Sequence, residues 1–133
     1  MNLATVEIKA FVPAHDFELS KQFYSALGFT MASASEEVAY FRHGNCSFLL
    51  QNFYVEQLAQ NLMMHLLVEN ADHWHEHVAV QGIAERFGVK LGSPEDRPWA
   101  MRDFTLHDPS GVLWRIGHNI VRKPASPASQ AEP

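Results

Sequence analysis

The sequence predicts an α+β fold in which two β-α-β-β-β modules form a curved mixed sheet, or open barrel, around a concave pocket. Three observations support this prediction. The order of predicted strands and helices recurs with an internal period of about sixty residues. Each half alone would expose an apolar sheet face, so the halves must pack together or curl into a shared barrel. The composition, 47 % hydrophobic and 19 % charged, is that of an ordinary globular chain.

The first module spans about residues 5–51. Residues 5–13 alternate between apolar and other side chains, which predicts a strand. Asp16 follows as a helix N-cap, apolar residues recur at helical spacing, and Gly28 closes the helix. Three short strands are then predicted, the last two joined by a hairpin turn, over residues 29–35, 38–43 and 46–51.

The second module spans about residues 62–118 and repeats this order. Residues 62–68 are apolar and strand-like, and Asn70 or Asp72 caps a helix that ends at Gly82. A turn with the sequence D-P-S-G separates the last two predicted strands. These strands cover residues 101–107 and 112–118.

Two stretches have no clear period. Residues 53–61 form a polar and aromatic connection with room for one helical turn, and residues 85–98 favour a strand at 89–91 followed by a loop.

We expect residues 1–120 to form a single domain. Residues 121–133 are rich in Pro, Ala and Ser, which predicts a disordered C-terminal tail.

Charge and hydropathy exclude several classes of function. The net charge of -5 argues against a nucleic-acid partner, because phosphate binding needs clustered Lys and Arg. No stretch approaches the twenty apolar residues of a membrane-spanning helix. Glu7 and Lys9 stand where a signal peptide would need an apolar run. We therefore expect a cytoplasmic protein with no membrane partner.

Two blocks of sequence match a known family. Residues 16–29 fit the pattern D-x-x-x-S-x-x-F-Y-x-x-L-G-F, and residues 97–111 approach the P-W-G-x-R-x-F and D-P-D-G-N signature. The chain thus resembles the vicinal-oxygen-chelate superfamily of glyoxalase I, extradiol dioxygenases and bleomycin-resistance proteins. It looks most like the bleomycin-resistance branch, and the likeness covers roughly residues 5–120. The resemblance implies the fold, but unrelated reactions share this scaffold.

Metal-dependent members of the family hold one divalent ion with His, Glu or Gln from four inward-facing strand positions. The resemblance transfers the final ligand, a Glu, to Arg115. A divalent ion and a guanidinium about 4 Å apart repel by roughly 8 kcal/mol at an effective dielectric constant near 20. We therefore expect no metal cofactor. The other three positions fall on Met63, on Lys9 or Glu7, and near Leu49 or Gln51.

An inward-pointing Arg115 needs a partner, because burying an unpaired charge is costly. Strand phase makes Glu7 one candidate, and an anionic group on a ligand is the other. Trp99 would cover a planar ligand or else pack against the core or a second subunit. Arg102 is expected to hold its loop through Asp103 or Glu95, or else to contact ligand. The remaining candidate ligand-binding residues are His65, Met63, Phe11 and Phe104.

Three functions remain open from the sequence. The leading hypothesis is a bleomycin-resistance-like homodimer that sequesters a small molecule without a metal and without catalysis. The alternative is a metal-dependent glyoxalase, lyase, isomerase or dioxygenase whose rearranged ligands include His65 and Glu7. In the third, the pocket is filled and the dimer surface matters. The acidic chain suits a cationic ligand whereas Arg115 suits an anionic one, so the ligand's charge also stays open.

Overall fold

The computed structural model describes residues 1–121 of the 133-residue chain. Strand, helix and three strands follow one another twice, and two short helices join this pattern. The elements are β1 (Phe11–Pro13), α1 (Phe17–Leu27), β2 (Thr30–Ala34), β3 (Val38–His43), β4 (Cys46–Gln51), α2 (Glu56–Asn61), β5 (Met63–Leu67), α3 (Ala71–Val80), α4 (Ile83–Phe87), β6 (Glu95–Arg97), β7 (Met101–His107) and β8 (Leu113–Asn119).

The strands form two four-stranded sheets with the same topology. The order is β1-β4-β3-β2 in one sheet and β5-β8-β7-β6 in the other. The first strand of each module pairs in parallel with the last, Val12 opposite Leu50 and Leu66 opposite Ile116, while the remaining pairs are antiparallel. The predicted α+β class and repeated modules are confirmed. The two sheets remain separate and do not close into a barrel.

Helix α1 begins and ends as its sequence predicts. The side chain of Asp16 accepts a hydrogen bond from the Leu19 backbone N at 3.0 Å, which satisfies a donor of the first turn. Gly28 ends the helix at φ 122°, a conformation that disfavours residues with a Cβ atom. Between these caps, Phe23, Tyr24 and Leu27 pack into the core.

A buried hydrogen-bond network joins the two modules. The hydroxyl of Tyr24 on α1 donates to Asp108 Oδ2 at 2.6 Å and accepts from Trp114 Nε1 at 2.9 Å. Burial of these groups raises the pKa of Asp108, against the opposing effect of its hydrogen bonds. The prediction that Trp114 faces a helix is confirmed, and the hydrophobic core is continuous across both modules.

Several elements differ from the prediction. Strand β1 is three residues long, because the regular pairing with β4 begins only at Phe11. Helix α4 was missed, since its five residues between two glycines at φ 63° and 62° are too few to show a helical period. The strand expected at 89–91 is a single bridge from Leu91 to Leu106, and β6 lies in the expected loop.

Two further predictions concern the ends of the chain and the membrane. The predicted disordered tail, apart from Val121, lies outside the described residues. Within residues 1–121, no helix combines the length and the apolar character that crossing a bilayer requires.

Candidate functional site

Helices cover one face of the second sheet, and we call its opposite side the open face. Burial alternates along β8, where Trp114 and Ile116 are buried and Arg115 between them is partly exposed. The same alternation applies along β5 and from Phe104 to His107 in β7, whereas Met101 and Arg102 are both partly buried and Asp103 is buried. Strand phase and register place eleven residues of β5, β7 and β8 on the open face: Met63, His65, Leu67, Met101, Asp103, Thr105, His107, Leu113, Arg115, Gly117 and Asn119.

Arg115 and Arg97 share one buried carboxylate on this face. Arg97 Nε donates to Asp103 Oδ1 at 2.8 Å, and Arg115 Nη1 donates to both oxygens at 3.2 and 3.3 Å. The Asp103 side chain is 1 % exposed, so its charge is compensated by the two guanidinium groups rather than by water. We call these three residues the Arg97–Asp103–Arg115 cluster.

Gly117 makes room for this cluster. It lies opposite Asp103 in the β7–β8 ladder, with both positions on the open face. A Cβ atom at Gly117 would come within 2.6 Å of Asp103 Cβ and 2.9 Å of the Arg102 carbonyl oxygen. Both approaches are closer than side chains tolerate, so only glycine allows Asp103 to occupy its present place.

Trp99 stands beside Arg115 at the end of a tight turn. The Ala100 backbone N donates to the Arg97 carbonyl oxygen at 3.2 Å, and Pro98 occupies the second position of this turn. Ala100 has a φ of 60°, which is unfavourable for a residue other than glycine. The turn holds the Trp99 ring centroid 5.8 Å from the Arg115 guanidinium carbon. The indole thus forms a wall next to the cluster.

Glu7 has partners in the first module. Its carboxylate accepts hydrogen bonds from the Ser47 hydroxyl, from the Tyr40 hydroxyl at 2.9 Å and from Lys9 Nζ at 3.1 Å. These hydrogen bonds, that of Ser47 foremost, lower the pKa of Glu7 to about 2. Glu7 is therefore not the ionic partner of Arg115 that the sequence suggested, and the acid that pairs with Arg115 is Asp103.

His65 connects the open face to a cavity. It lies opposite Arg115 in the parallel β5–β8 pair. Together with Glu7 it also lines a cavity of about 410 Å³ between the N-terminal segment, β4 and β5. Phe48 and Trp114 contribute apolar wall to the same cavity. The structure therefore brings His65 close to Arg115 and places Glu7 at the neighbouring cavity.

Two candidate residues lie away from the open face. Arg102 points to the helix side of β7, where its guanidinium bonds Asp72 at 2.9 Å and Asp96 at 3.0 Å. It therefore pairs with neither Asp103 nor Glu95, because adjacent strand residues point to opposite faces. Phe104 is fully buried and packs edge-on against His75 of α3. We leave both residues out of the proposed site.

Two apolar candidates remain accessible to a ligand. Met63 is half exposed on the open face of the second sheet. Phe11 is half exposed at the start of β1, opposite Leu49 in the first sheet. Met63 lies opposite Leu113, two residues from Arg115 on the same face, whereas Phe11 belongs to the other module.

The family's metal does not fit the residues present. Arg115 and Met63, to which the resemblance transfers two of the ligand positions, both lie on the open face, and a guanidinium and a thioether are unsuited to a hard divalent cation. The nearby carboxylate of Asp103 is committed to two arginines. In the described part of the chain, no three His, Cys, Asp or Glu residues are grouped so that they could hold a metal ion.

Asp103 and Arg97 are site residues that the sequence analysis did not single out. Counting outward from the D-P-S-G turn gives the register of the β7–β8 hairpin, in which Thr105 lies opposite Arg115. That register places Asp103 on the same face as Arg115, two residues along. The position of the turn was therefore enough to predict that Asp103 lies near Arg115. The pairing of Asp103 with Arg97 could not be predicted in this way, because it also depends on strand β6, which was not predicted.

A larger cavity of about 820 Å³ lies beside the start of α1. Three of its charged residues already have partners within that helix. Asp16 caps the first turn, and Lys21 forms an ion pair with Glu18 at 2.7 Å. This cavity lacks the predicted candidates, so we centre the candidate site on Arg115.

Comparison with known proteins identifies the family and the fold. The model of the Glyoxalase/Bleomycin resistance protein/Dioxygenase superfamily matches residues 6–116. No curated protein matches the chain. A bleomycin-binding protein solved in complex with bleomycin is 22 % identical, with a TM-score of 0.75 over 86 % of this chain and 99 % of that one.

Two further solved structures share the fold. An antibiotic-binding protein from Streptomyces sp. CB03234 is 21 % identical, with a TM-score of 0.68 over 90 % of this chain and 98 % of that one. A lactoylglutathione lyase from Agrobacterium tumefaciens is 14 % identical, with a TM-score of 0.64 over 88 % of this chain and 96 % of that one. At these identities the likeness establishes the fold alone.

Proposed function

The chain belongs to the Glyoxalase/Bleomycin resistance protein/Dioxygenase superfamily, and we propose that it is a binding protein that sequesters a small molecule without a metal. The binding site is the open face of the second sheet around Arg115, bordered by Trp99 and His65. One observation carries the proposal: Arg115 stands on this face, at the position to which the resemblance transfers the final carboxylate ligand of the metal-dependent members. Arginine keeps its positive charge at any physiological pH, so it opposes a divalent cation there.

The chemistry of the cluster supports binding rather than catalysis. Asp103 is the carboxylate nearest to Arg115, and its oxygens accept hydrogen bonds from two guanidinium groups. Both oxygens of this carboxylate are already engaged and its side chain is 1 % exposed, so it is poorly placed to take a proton from a substrate. Bleomycin-binding and antibiotic-binding proteins are among the structures that share the fold, and this adds weight to a binding role.

We also propose that the protein is a homodimer, with the ligand site built partly between subunits. The apolar side chains of Val6 and Ile8 are 96 % and 94 % exposed in the single chain. Phe53 and Met63 are half exposed as well. A second copy that covers these side chains would remove several apolar surfaces from water and add walls to the open face.

Ligand-induced stabilisation of metal-free protein tests the binding function. The chelator-treated protein is heated with a panel of small molecules that includes bleomycin and anionic, neutral and cationic aromatic compounds. We expect at least one compound to raise the melting temperature in the absence of metal, because a ligand that binds only the folded state stabilises it. The same compounds are tested on protein dialysed against Ni, Zn, Mn and Fe(II). Stabilisation that appears only after metal loading would contradict the proposal.

A further inference from the structure

We infer that the ligand carries a carboxylate on a planar aromatic body and that Arg115 binds this carboxylate; the inference rests on the proposed function. The inference assigns a negative charge to the ligand, a point that the sequence left open. The ion pairs, the unused donors and the neighbouring indole of Arg115 each bear on it.

The first step is the distribution of charge on the open face. Arg97 has two acidic partners, Asp103 at 2.8 Å and Glu95 at 3.7 Å, although Glu95 is largely exposed. Arg115 has a share of Asp103 only, at 3.2 Å. Among the described residues, no other acid lies within ion-pair distance of Arg115. Arg115 is therefore the less compensated of the two cations.

The second step is the set of unused donors on Arg115. Both of its hydrogen bonds to Asp103 involve Nη1. In the part of the chain that the structure describes, Nε and Nη2 make no hydrogen bond. These two nitrogens form one edge of the guanidinium, which is the geometry that binds a carboxylate through two parallel hydrogen bonds. The side chain is 28 % exposed, so a ligand can reach it.

The third step is the indole beside this guanidinium. Trp99 is 39 % exposed, and its ring lies 5.8 Å from the guanidinium carbon of Arg115. The turn that holds it contains Ala100 at φ 60° and is anchored by the Ile120 N to Ala100 O hydrogen bond of 3.0 Å. A strained residue persists only where its surroundings fix it, so the indole is held in place. An exposed ring next to a cation suits a planar, aromatic ligand body.

Asp103 acts as a positioning residue for Arg115. It is buried above Gly117 and fixes Nη1, which leaves the Nε–Nη2 edge for the ligand. Removing its negative charge would strengthen anion binding if net charge alone mattered. If Asp103 orients the guanidinium, the same change weakens anion binding instead. The two roles thus predict opposite signs.

Three probes of the same shape and different charge test the inference. Titration calorimetry at low salt compares naphthalene-2-carboxylate with its neutral amide and its cationic amidine on metal-free protein. We expect the carboxylate to bind at least about tenfold more tightly than the amide, because a hydrogen-bonded ion pair replaces a neutral contact. Arg115→Gln should remove this preference. Arg86→Gln, which changes an exposed arginine on α4, should leave it unchanged.

Asp103→Asn supplies the readout that distinguishes positioning from net charge. We expect it to reduce the carboxylate-to-amide ratio although it removes a negative charge. If this variant fails to fold, the comparison of Arg115→Gln with Arg86→Gln decides alone. Equal binding of the carboxylate and the amide, tighter binding of the amidine, or no binding of any probe would overturn the inference. None of these outcomes decides the proposed function, which the wider panel of compounds in the thermal experiment tests separately.

Discussion

At the scale of single residues, Tyr24 and Gly117 each allow buried polar groups nearby to keep their partners. Tyr24 satisfies two buried polar groups of the other module with one hydroxyl. Gly117 provides the space in which Asp103 can pair with Arg97 and Arg115. Neither role depends on an exposed side chain, so both are tested by stability measurements as well as by binding.

Tyr24→Phe removes the hydroxyl and keeps the ring. The Trp114 N–H loses its acceptor and the buried Asp108 loses a donor, so we expect a loss of about 2–3 kcal/mol in the free energy of unfolding. Urea denaturation measures the loss. Tyr40→Phe is the matched control, because its hydroxyl bonds Glu7 close to the surface, and it should cost less than about 1 kcal/mol. Equal losses in the two variants would refute the account of this network.

Gly117→Ala places a Cβ atom against the neighbouring strand. The nearest atoms are Asp103 Cβ at 2.6 Å and a backbone oxygen at 2.9 Å, so β7 or β8 must shift. We expect a loss of about 1–3 kcal/mol in stability and a weaker preference for the carboxylate probe. Gly44→Asn is the control, since Gly44 lies at φ 57° with open space around it. Unchanged stability and probe preference in Gly117→Ala would argue against the cluster.

The predictability of individual residues follows from strand phase. Alternation along β8 placed Arg115 and Trp114 on opposite faces, and the structure agrees. The partner of Arg115 could not be chosen from alternation alone, because the choice between Glu7 and Asp103 requires the register of two strands. The pairing expected between Arg102 and Asp103 was wrong for a different reason, because adjacent strand residues point to opposite faces. The partners of Arg102 are Asp72, on a helix thirty residues away in the sequence, and Asp96 on β6.

At the scale of elements, the N-terminal segment (residues 1–10) is linked to the first sheet by the Glu7 carboxylate and by a hydrogen bond from the Leu49 backbone N to the Ala10 carbonyl oxygen at 3.0 Å. Glu7 is ionised in this arrangement, since its pKa is about 2 in place of 4.5. The folded pKa is depressed, so the contribution of Glu7 to stability is complete above pH 4.5 and declines as the pH falls toward 2. Residues 1–10 should loosen over this range of pH.

Ser47→Ala tests the cause of this shift. Ser47 is the first cause of the low pKa, so its removal should raise the pKa of Glu7 toward 4.5. NMR titration of the Glu7 side-chain carboxyl group measures the midpoint directly. Ser25→Ala, which changes an exposed serine on α1, should leave the midpoint unchanged. A midpoint near 4.5 in the unmodified protein would show that the segment is not attached in this way.

Elements with strong local signals were predictable, and short elements were not. The strands at 38–43, 46–51 and 101–107 match the prediction, because turns bound them on a clear alternating pattern. Strand β6 and helix α4 have three and five residues, which is shorter than the window that a period needs. Because β6 was not predicted, the position of Arg97 could not be derived, and Arg97 was absent from the predicted site.

At the scale of the whole molecule, the exposed apolar side chains predict self-association. We expect sedimentation velocity to show a dimer at micromolar concentration. Replacing the apolar residues of the N-terminal segment in the double variant V6S/I8S should shift the protein toward a monomer, because apolar contact area is lost. Glu85→Gln on α4 provides a control on another surface. A monomer at all concentrations, or a dimer unaffected by V6S/I8S, would contradict this interface.

The metal content of the purified protein tests the central claim most directly. Elemental analysis is carried out before and after dialysis against Ni, Zn, Mn and Fe(II), with His65→Ala alongside. The account predicts no stoichiometric metal in either protein, because Arg115 stands at the position to which the resemblance transfers the carboxylate ligand, and Asp103 is committed to two arginines. One metal ion per chain, retained after dialysis and lost in His65→Ala, would contradict the account and favour a metal-dependent enzyme with rearranged ligands.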